Sequence, residues 1–133
     1  MTLEVVQPAR IVLVVDDIES VRLLVRELLE AAGFTVLVAG NGLEAIHTSE
    51  QFRGHIELLI TDVQMPGVHG LALAGHLRSV RPGIHVIFMS ADAGEILDPQ
   101  CVSKLHAFYL SKPFTRAELS AKVDEALNKS QSS

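Results

Sequence analysis

Short runs of apolar, largely β-branched residues recur along the chain, at Ile11–Val15, Thr35–Ala39, Ile56–Thr61, His85–Met89 and Phe108–Leu110. Their near-continuous hydrophobicity predicts strands buried on both faces, as in a parallel sheet. Between them the apolar positions fall at helical spacing. Ile18, Val21, Leu24, Val25, Leu28 and Leu29 make one face of a first helix, with Gly33 placed as its stop. A second helix opens at Asn41-Gly-Leu-Glu44 and the last at Thr115-Arg-Ala-Glu118. Each sets a capping residue three positions before a Glu, so that two side chains satisfy orphan backbone donors. A third helix runs from about 70 to 80, before Pro82-Gly83 breaks it. The stretch from Ser90 to Leu105 fits a helix poorly, since SADAGEILDPQC holds a Gly and a Pro. Asp98-Pro99 reads as a cap followed by a first helical residue, which predicts a short helix from about Pro99, preceded by loop.

The alternation of strand and helix predicts an α/β fold, (βα)5, without internal repeats. Five parallel strands with short crossovers favour a doubly wound sheet in the flavodoxin-like order 2-1-3-4-5. Residues 10–128 would form the domain, with an extension at 1–9 and a tail at 129–133. In such sheets ligands bind beyond the carboxyl ends of the strands.

Composition narrows the functional classes. At 133 residues, with 48% hydrophobic and 20% charged, the chain suits one domain with a real core. A net charge of −5 argues against sequence-independent binding of nucleic acid, which needs clustered Lys and Arg. Charges or turn residues interrupt every apolar run before the roughly 18 residues of a membrane span. The opening MTLEVVQPAR lacks a basic region followed by an apolar one, unlike a signal peptide. The single cysteine, Cys101, has no partner for an internal disulfide. The expectation is a soluble cytoplasmic domain with neither nucleic acid nor membrane as partner.

The strand ends carry the candidate chemistry. The first strand ends in Asp16-Asp17, the third in Asp62, the fourth in Ser90, and the fifth runs into Lys112-Pro113. Singly, each has a plain structural reading as a cap, a turn former or a solvated lysine. Together they bring three carboxylates, a hydroxyl and an ammonium to one rim of one sheet. Clustered carboxylates repel one another unless protonated or neutralised. A hard divalent cation is the economical partner, and Mg2+ commonly uses one or two carboxylates with phosphate oxygen and water. Lys112 adds a point charge and Ser90 a donor for an anionic oxygen. A carboxylate nucleophile, Mg2+, a lysine and a hydroxyl are the parts of phosphoryl transfer to an aspartate. The six histidines show no ligand spacing such as His-x-x-x-His.

These residues resemble the receiver domains of two-component response regulators. The resemblance spans roughly Arg10 to Leu127 and rests on VVDD (Val14–Asp17), ITDVQMPGVHG (Ile60–Gly70), FMSA (Phe88–Ala91) and YLSKPF (Tyr109–Phe114). It implies that Asp62 accepts a phosphoryl group from a histidine kinase or a histidine phosphotransfer protein. Asp17 would contact Mg2+ directly, Asp16 mostly through water, and the Gln64 backbone carbonyl would complete the ligands around Asp62. Lys112 would pair with the acceptor and then with the phosphoryl group. Ser90 would turn toward a phosphoryl oxygen, and Tyr109 would move inward as the aromatic switch. The Lys112-Pro113 bond would be the family's cis peptide, and Met65-Pro66-Gly67 with Gly70 its turn after the acceptor strand. The chain would be a signalling domain, catalysing only its own phosphorylation and dephosphorylation. Two departures stand out. Gly67-Val-His69 replaces an acidic or methionine-containing turn, and Gly94–Pro99 interrupts the helix of the usual signalling face. The downstream partner is left open.

Rival chemistries are tested by single residues. A phosphatase of the haloacid dehalogenase type needs a second Asp two positions after the nucleophile, where this chain has Gln64. A flavodoxin-like electron carrier needs a Ser/Thr/Gly-rich loop after the first strand, where Asp16-Asp17 would repel the FMN phosphate. A degenerate receiver, keeping the fold as a phosphorylation-independent interaction module, is the remaining alternative. After Leu127 only NKSQSS remains, too short for an output domain. The expectation is therefore a stand-alone regulator or a receiver belonging to a hybrid sensor kinase.

Overall fold

The computed structural model describes residues 10–91 and 106–128. In chain order the elements are β1 (Ile11–Val15), α1 (Glu19–Ala31), β2 (Thr35–Ala39), α2 (Gly42–Gln51), β3 (Leu58–Asp62), α3 (Gly70–Val80), β4 (His85–Ser90), β5 (Phe108–Ser111) and α4 (Arg116–Asn128). The strands form one sheet in the order β2-β1-β3-β4-β5, every neighbouring pair parallel. This is the doubly wound, flavodoxin-like arrangement that the hydrophobic runs predict. The short helix expected from Pro99, Cys101, the extension and the tail lie outside the described residues.

The period of two along each strand explains why the runs are apolar throughout. Leu13, Val15, Leu59, Val86 and Phe88 point to one core, shared with Ala45 of α2 and with Leu73, Ala74 and Leu77 of α3. Val12, Val14, Leu58, Ile60, Ile87 and Met89 point to the other, closed by Val25 and Leu29 of α1 and by Leu119, Val123, Ala126 and Leu127 of α4. With helices on both faces, an inner strand has no solvent side on which polar residues would be favoured.

Helix ends follow their local chemistry. Thr115 and Glu118 make the reciprocal capping box, with Thr115 N donating to Glu118 Oε1 at 2.9 Å and Glu118 N to Thr115 Oγ1 at 3.1 Å. Asn41 Oδ1 accepts from Glu44 N at 2.8 Å. Gly33, at φ +98°, closes α1 with its N–H donating to Glu30 O while Phe34 N donates to Leu29 O.

Two expectations need correction. Only Val25 and Leu29 of the apolar face drawn for α1 are buried, whereas Ile18 is 49% and Leu24 48% exposed. Ile18 is the cap residue at the sheet rim, and Leu24 lies about 100° around the helix from Val25, beyond the reach of the sheet. The third strand begins at Leu58 instead of Ile56 and continues to Asp62. Ile56 is buried and Glu57 still pairs with both neighbours, through Ile11 O and His85 N, so the shift is one of strand boundary.

Candidate functional site

The parallel sheet delivers its acids to one edge. β1 and β3 are adjacent, with Val15 opposite Thr61, so Asp16 and Asp62 leave the sheet side by side. Asp16 and Asp62 are buried and Asp17 is exposed. One carboxylate oxygen from each of the three residues lies within 4.8 Å of the others. Lys112, arriving from the end of β5, places Nζ 2.8 Å from Asp16 Oδ2 and 3.2 Å from Asp62 Oδ2. The Lys112-Pro113 peptide is cis.

Asp16 is held on every side. Its N–H donates to Ala39 O at 3.2 Å, tying it to the end of β2. Oδ1 accepts from Ile18 N at 2.9 Å, satisfying the backbone donor of the residue that opens α1. Its backbone carbonyl accepts from Arg22 Nη1 at 2.7 Å.

The electrostatics of the cluster are unbalanced. Burial raises the pKa of Asp62 above the ordinary 3.8; contact with Lys112 pulls it back, and the charges of Asp16 and Asp17 push it further up. For Lys112, burial favours the neutral amine, but the hydrogen bond and charge of Asp16 and those of Asp62 outweigh it and lift the pKa above 10.5. Three carboxylates thus face one ammonium. The donors are all oxygens, the set a hard divalent cation takes.

The remaining candidates surround this cluster. Ser90 ends β4, fully buried, and its carbonyl accepts from Lys112 N at 2.8 Å and from the Tyr109 hydroxyl at 3.3 Å. Tyr109 is half-buried in β5. Gln64 is exposed in the loop between β3 and α3. That loop returns tightly, with Gly70 N donating to Val63 O at 2.9 Å, and a Cβ on Gly70 would overlap the Asp62 carbonyl oxygen.

Two contributors are given no role at the site by sequence reasoning. His69 caps α3, its Nδ1 accepting from Leu71 N at 3.2 Å. Arg22 is the other, and it does leave a trace in the sequence: a cation near a helix N-terminus opposes the macrodipole and calls for a local anionic or carbonyl partner. A groove of about 650 Å³ lies between α1 and α4 toward the N-terminal ends of β1 and β2, away from the acids. It shares no residue with the cluster.

Comparison with known proteins gives a consistent picture. The sequence pattern of the response regulator receiver domain matches residues 12–124. Sensor kinase CckA of Brucella abortus is 33% identical over 118 residues, which is 89% of this chain and 12% of that protein. The chain thus spans a small part of the kinase it matches. Among solved structures, a receiver domain protein from Clostridium thermocellum superposes with a TM-score of 0.78 at 27% identity, covering 92% of this chain and 97% of that one. Response regulator TrrA from Thermotoga maritima, in complex with Mg(2+)-BeF, gives a TM-score of 0.77 at 32% identity, covering 89% and 99%. Among the described residues no helix is long and apolar enough to cross a membrane.

Proposed function

Because the chain belongs to the family of response regulator receiver domains, we propose that it works as a Mg2+-dependent phosphorylation switch, with Asp62 accepting a phosphoryl group from a histidine kinase or a histidine phosphotransfer protein. The observation that carries this reading is the convergence of Asp16, Asp17 and Asp62 within 4.8 Å, with the Lys112 ammonium touching two of them.

The residues fit Mg2+. Asp17, exposed at the rim, would bind it directly, with Asp62 and the Gln64 backbone carbonyl as further ligands. Both Asp16 oxygens already accept hydrogen bonds, which suits contact through water. When bound, the ion would neutralise charge on the phosphoryl oxygens. The kinase of CckA and the Mg(2+)-BeF complex of TrrA support the donor class and the ion by relationship.

The chain's own groups supply the rest. An Asp62 carboxylate oxygen attacks phosphorus and forms the O–P bond as the P–N bond of a phosphohistidine breaks. The imidazole leaves with the electron pair and takes a proton from solvent. Lys112 shifts from its carboxylates to a phosphoryl oxygen, and the Ser90 hydroxyl donates to another. Since Tyr109 is bonded to the Ser90 carbonyl, a movement of Ser90 releases that bond and lets the ring turn inward. Local charge is thereby converted into a change of surface. On this reading residues 10–128 form a cytoplasmic signalling domain that catalyses only its own phosphorylation and dephosphorylation. It acts either as a stand-alone regulator or within a hybrid kinase.

Incubation with Mg2+ and acetyl phosphate, read by intact mass, tests the proposal. The expected result is a gain of one phosphoryl group in the wild type and none in Asp62→Ala. A wild-type mass that never rises, with no binding of beryllofluoride, rejects the switch and leaves a phosphorylation-independent interaction module.

A further inference from the structure

We infer that Arg22 is a positioning residue for the Mg2+ site, fixing the Asp16-Asp17 peptide so that both carboxylates present themselves to one ion. The inference rests on the metal reading above and adds to it a residue outside the acidic cluster.

The geometry is specific. Arg22 lies in the first turns of α1, and its Nη1 donates to the Asp16 carbonyl at 2.7 Å, a short charge-assisted bond. That carbonyl belongs to the peptide joining Asp16 to Asp17, so its direction sets where the Asp17 backbone starts. On the other side of Asp16, the N–H is fixed by Ala39 O and the carboxylate by Ile18 N and Lys112. Arg22 supplies the restraint on the remaining peptide plane. Space has been left for it: a Cβ on Gly40, just past β2, would sit 3.3 Å from the same Nη1. The bond also gives the guanidinium a carbonyl partner at a helix end where the macrodipole disfavours a cation.

Charge and position make opposite predictions. By charge alone, removing a cation beside an acidic cluster tightens binding of a divalent ion. By loss of alignment, removing it weakens binding, as for other residues that orient metal ligands from behind, where the loss is roughly 10-fold or more.

The experiment is calorimetric titration of Mg2+ into the full chain, well below the melting temperature of each variant. The expected result is a Kd about 10-fold weaker for Arg22→Met, with most of the affinity recovered in Arg22→Lys, which keeps a charged donor. Gly40→Val, crowding the guanidinium from the side of β2, should weaken binding in the same direction and replaces Arg22→Met if that variant fails to fold. A merely structural role would lower the melting temperature and leave the Kd of the folded protein unchanged. An Arg22→Met protein, or Gly40→Val in its place, that binds Mg2+ as tightly as the wild type or more tightly overturns the inference alone. A wild type that binds no Mg2+ overturns the metal reading and this inference with it.

Discussion

Lys112 and Asp16 are 96 positions apart in the chain, yet Nζ and Oδ2 lie 2.8 Å apart, a closer approach than the 3.2 Å between Lys112 and Asp62. The ammonium is therefore anchored on Asp16 and leans toward Asp62. Removing it leaves buried carboxylates without their cation. Lys112→Ala should destabilise the protein by about 3–5 kcal/mol in EDTA, the cost of breaking a largely buried pair. The same variant should bind Mg2+ more tightly, since a competing cation is gone, while its phosphorylation by acetyl phosphate falls. Urea denaturation with and without Mg2+ measures both effects. Equal stability of variant and wild type in EDTA would remove the structural part of this account.

Asp62 is disfavoured as an anion by its burial and by two neighbouring carboxylates. Its pKa in the folded state lies above 3.8, so the folded protein holds the proton more tightly than the unfolded chain does. Its contribution to stability is then fully present below pH 3.8 and is lost as pH rises through the folded-state value. Asp62→Asn should therefore stabilise the metal-free protein at neutral pH by roughly 0.5–2 kcal/mol, the common gain when a strained functional site is relieved. The gap should close in acid. Protons and Mg2+ compete for the same carboxylate, so Mg2+ affinity should fall as pH drops through that folded-state value. Carboxyl-detected NMR of the Asp62 titration, with and without Mg2+, follows the competition directly; a carboxyl titrating at or below 3.8 without metal would contradict it.

Arg81 has a purely structural part. Its guanidinium donates to Ser49 Oγ at 2.9 Å, Ser49 O at 3.0 Å, Phe52 O at 2.8 Å and Gly54 O at 2.7 Å, stapling the end of α2 to the end of α3. Arg81→Ala should cost about 2–4 kcal/mol, given the strength of hydrogen bonds to charged groups. Mg2+ affinity of the folded variant should stay at the wild-type value, because none of these partners belongs to the acidic edge. A fall in affinity equal to that of a site variant would instead tie this staple to the metal site.

The legible and illegible parts of the chain divide by range. Strand runs, caps at Asn41 and Thr115 and the stop at Gly33 are short-range patterns, and parallel topology then carries Asp16 and Asp62 to one edge without further information. The acidic cluster was readable because it sits at strand ends, which topology orders. Arg81 was not, since its partners lie 27 to 32 positions away, in the last turn of α2 and in the loop that follows it. The width of the buried α1 face is not set by spacing, for a related reason. Apolar spacing marks Leu24 as it marks Val25, but how much of a helix a sheet covers depends on packing. Arg22 left a weak trace, a cation near a helix N-terminus, which points to a partner without naming it.

Gly70 and Gly75 offer a controlled comparison within one helix. A Cβ on Gly70 would overlap the Asp62 carbonyl oxygen and come 2.9 Å from Val63 Cα, both backbone atoms that no side-chain rotation can move aside. A Cβ on Gly75 would meet nothing within 4 Å. Gly75→Ala should stabilise α3 by about 0.5–1 kcal/mol, the ordinary gain in helix propensity. Gly70→Ala should destabilise by roughly 1–3 kcal/mol, the cost of overpacking. It should also weaken Mg2+ binding, because relief requires the start of α3 and the backbone that carries Asp62 to move apart. Urea midpoints give the stabilities and calorimetric titration the affinities. If Gly70→Ala matches Gly75→Ala in both, the close approach of α3 to the end of β3 has no part in holding Asp62.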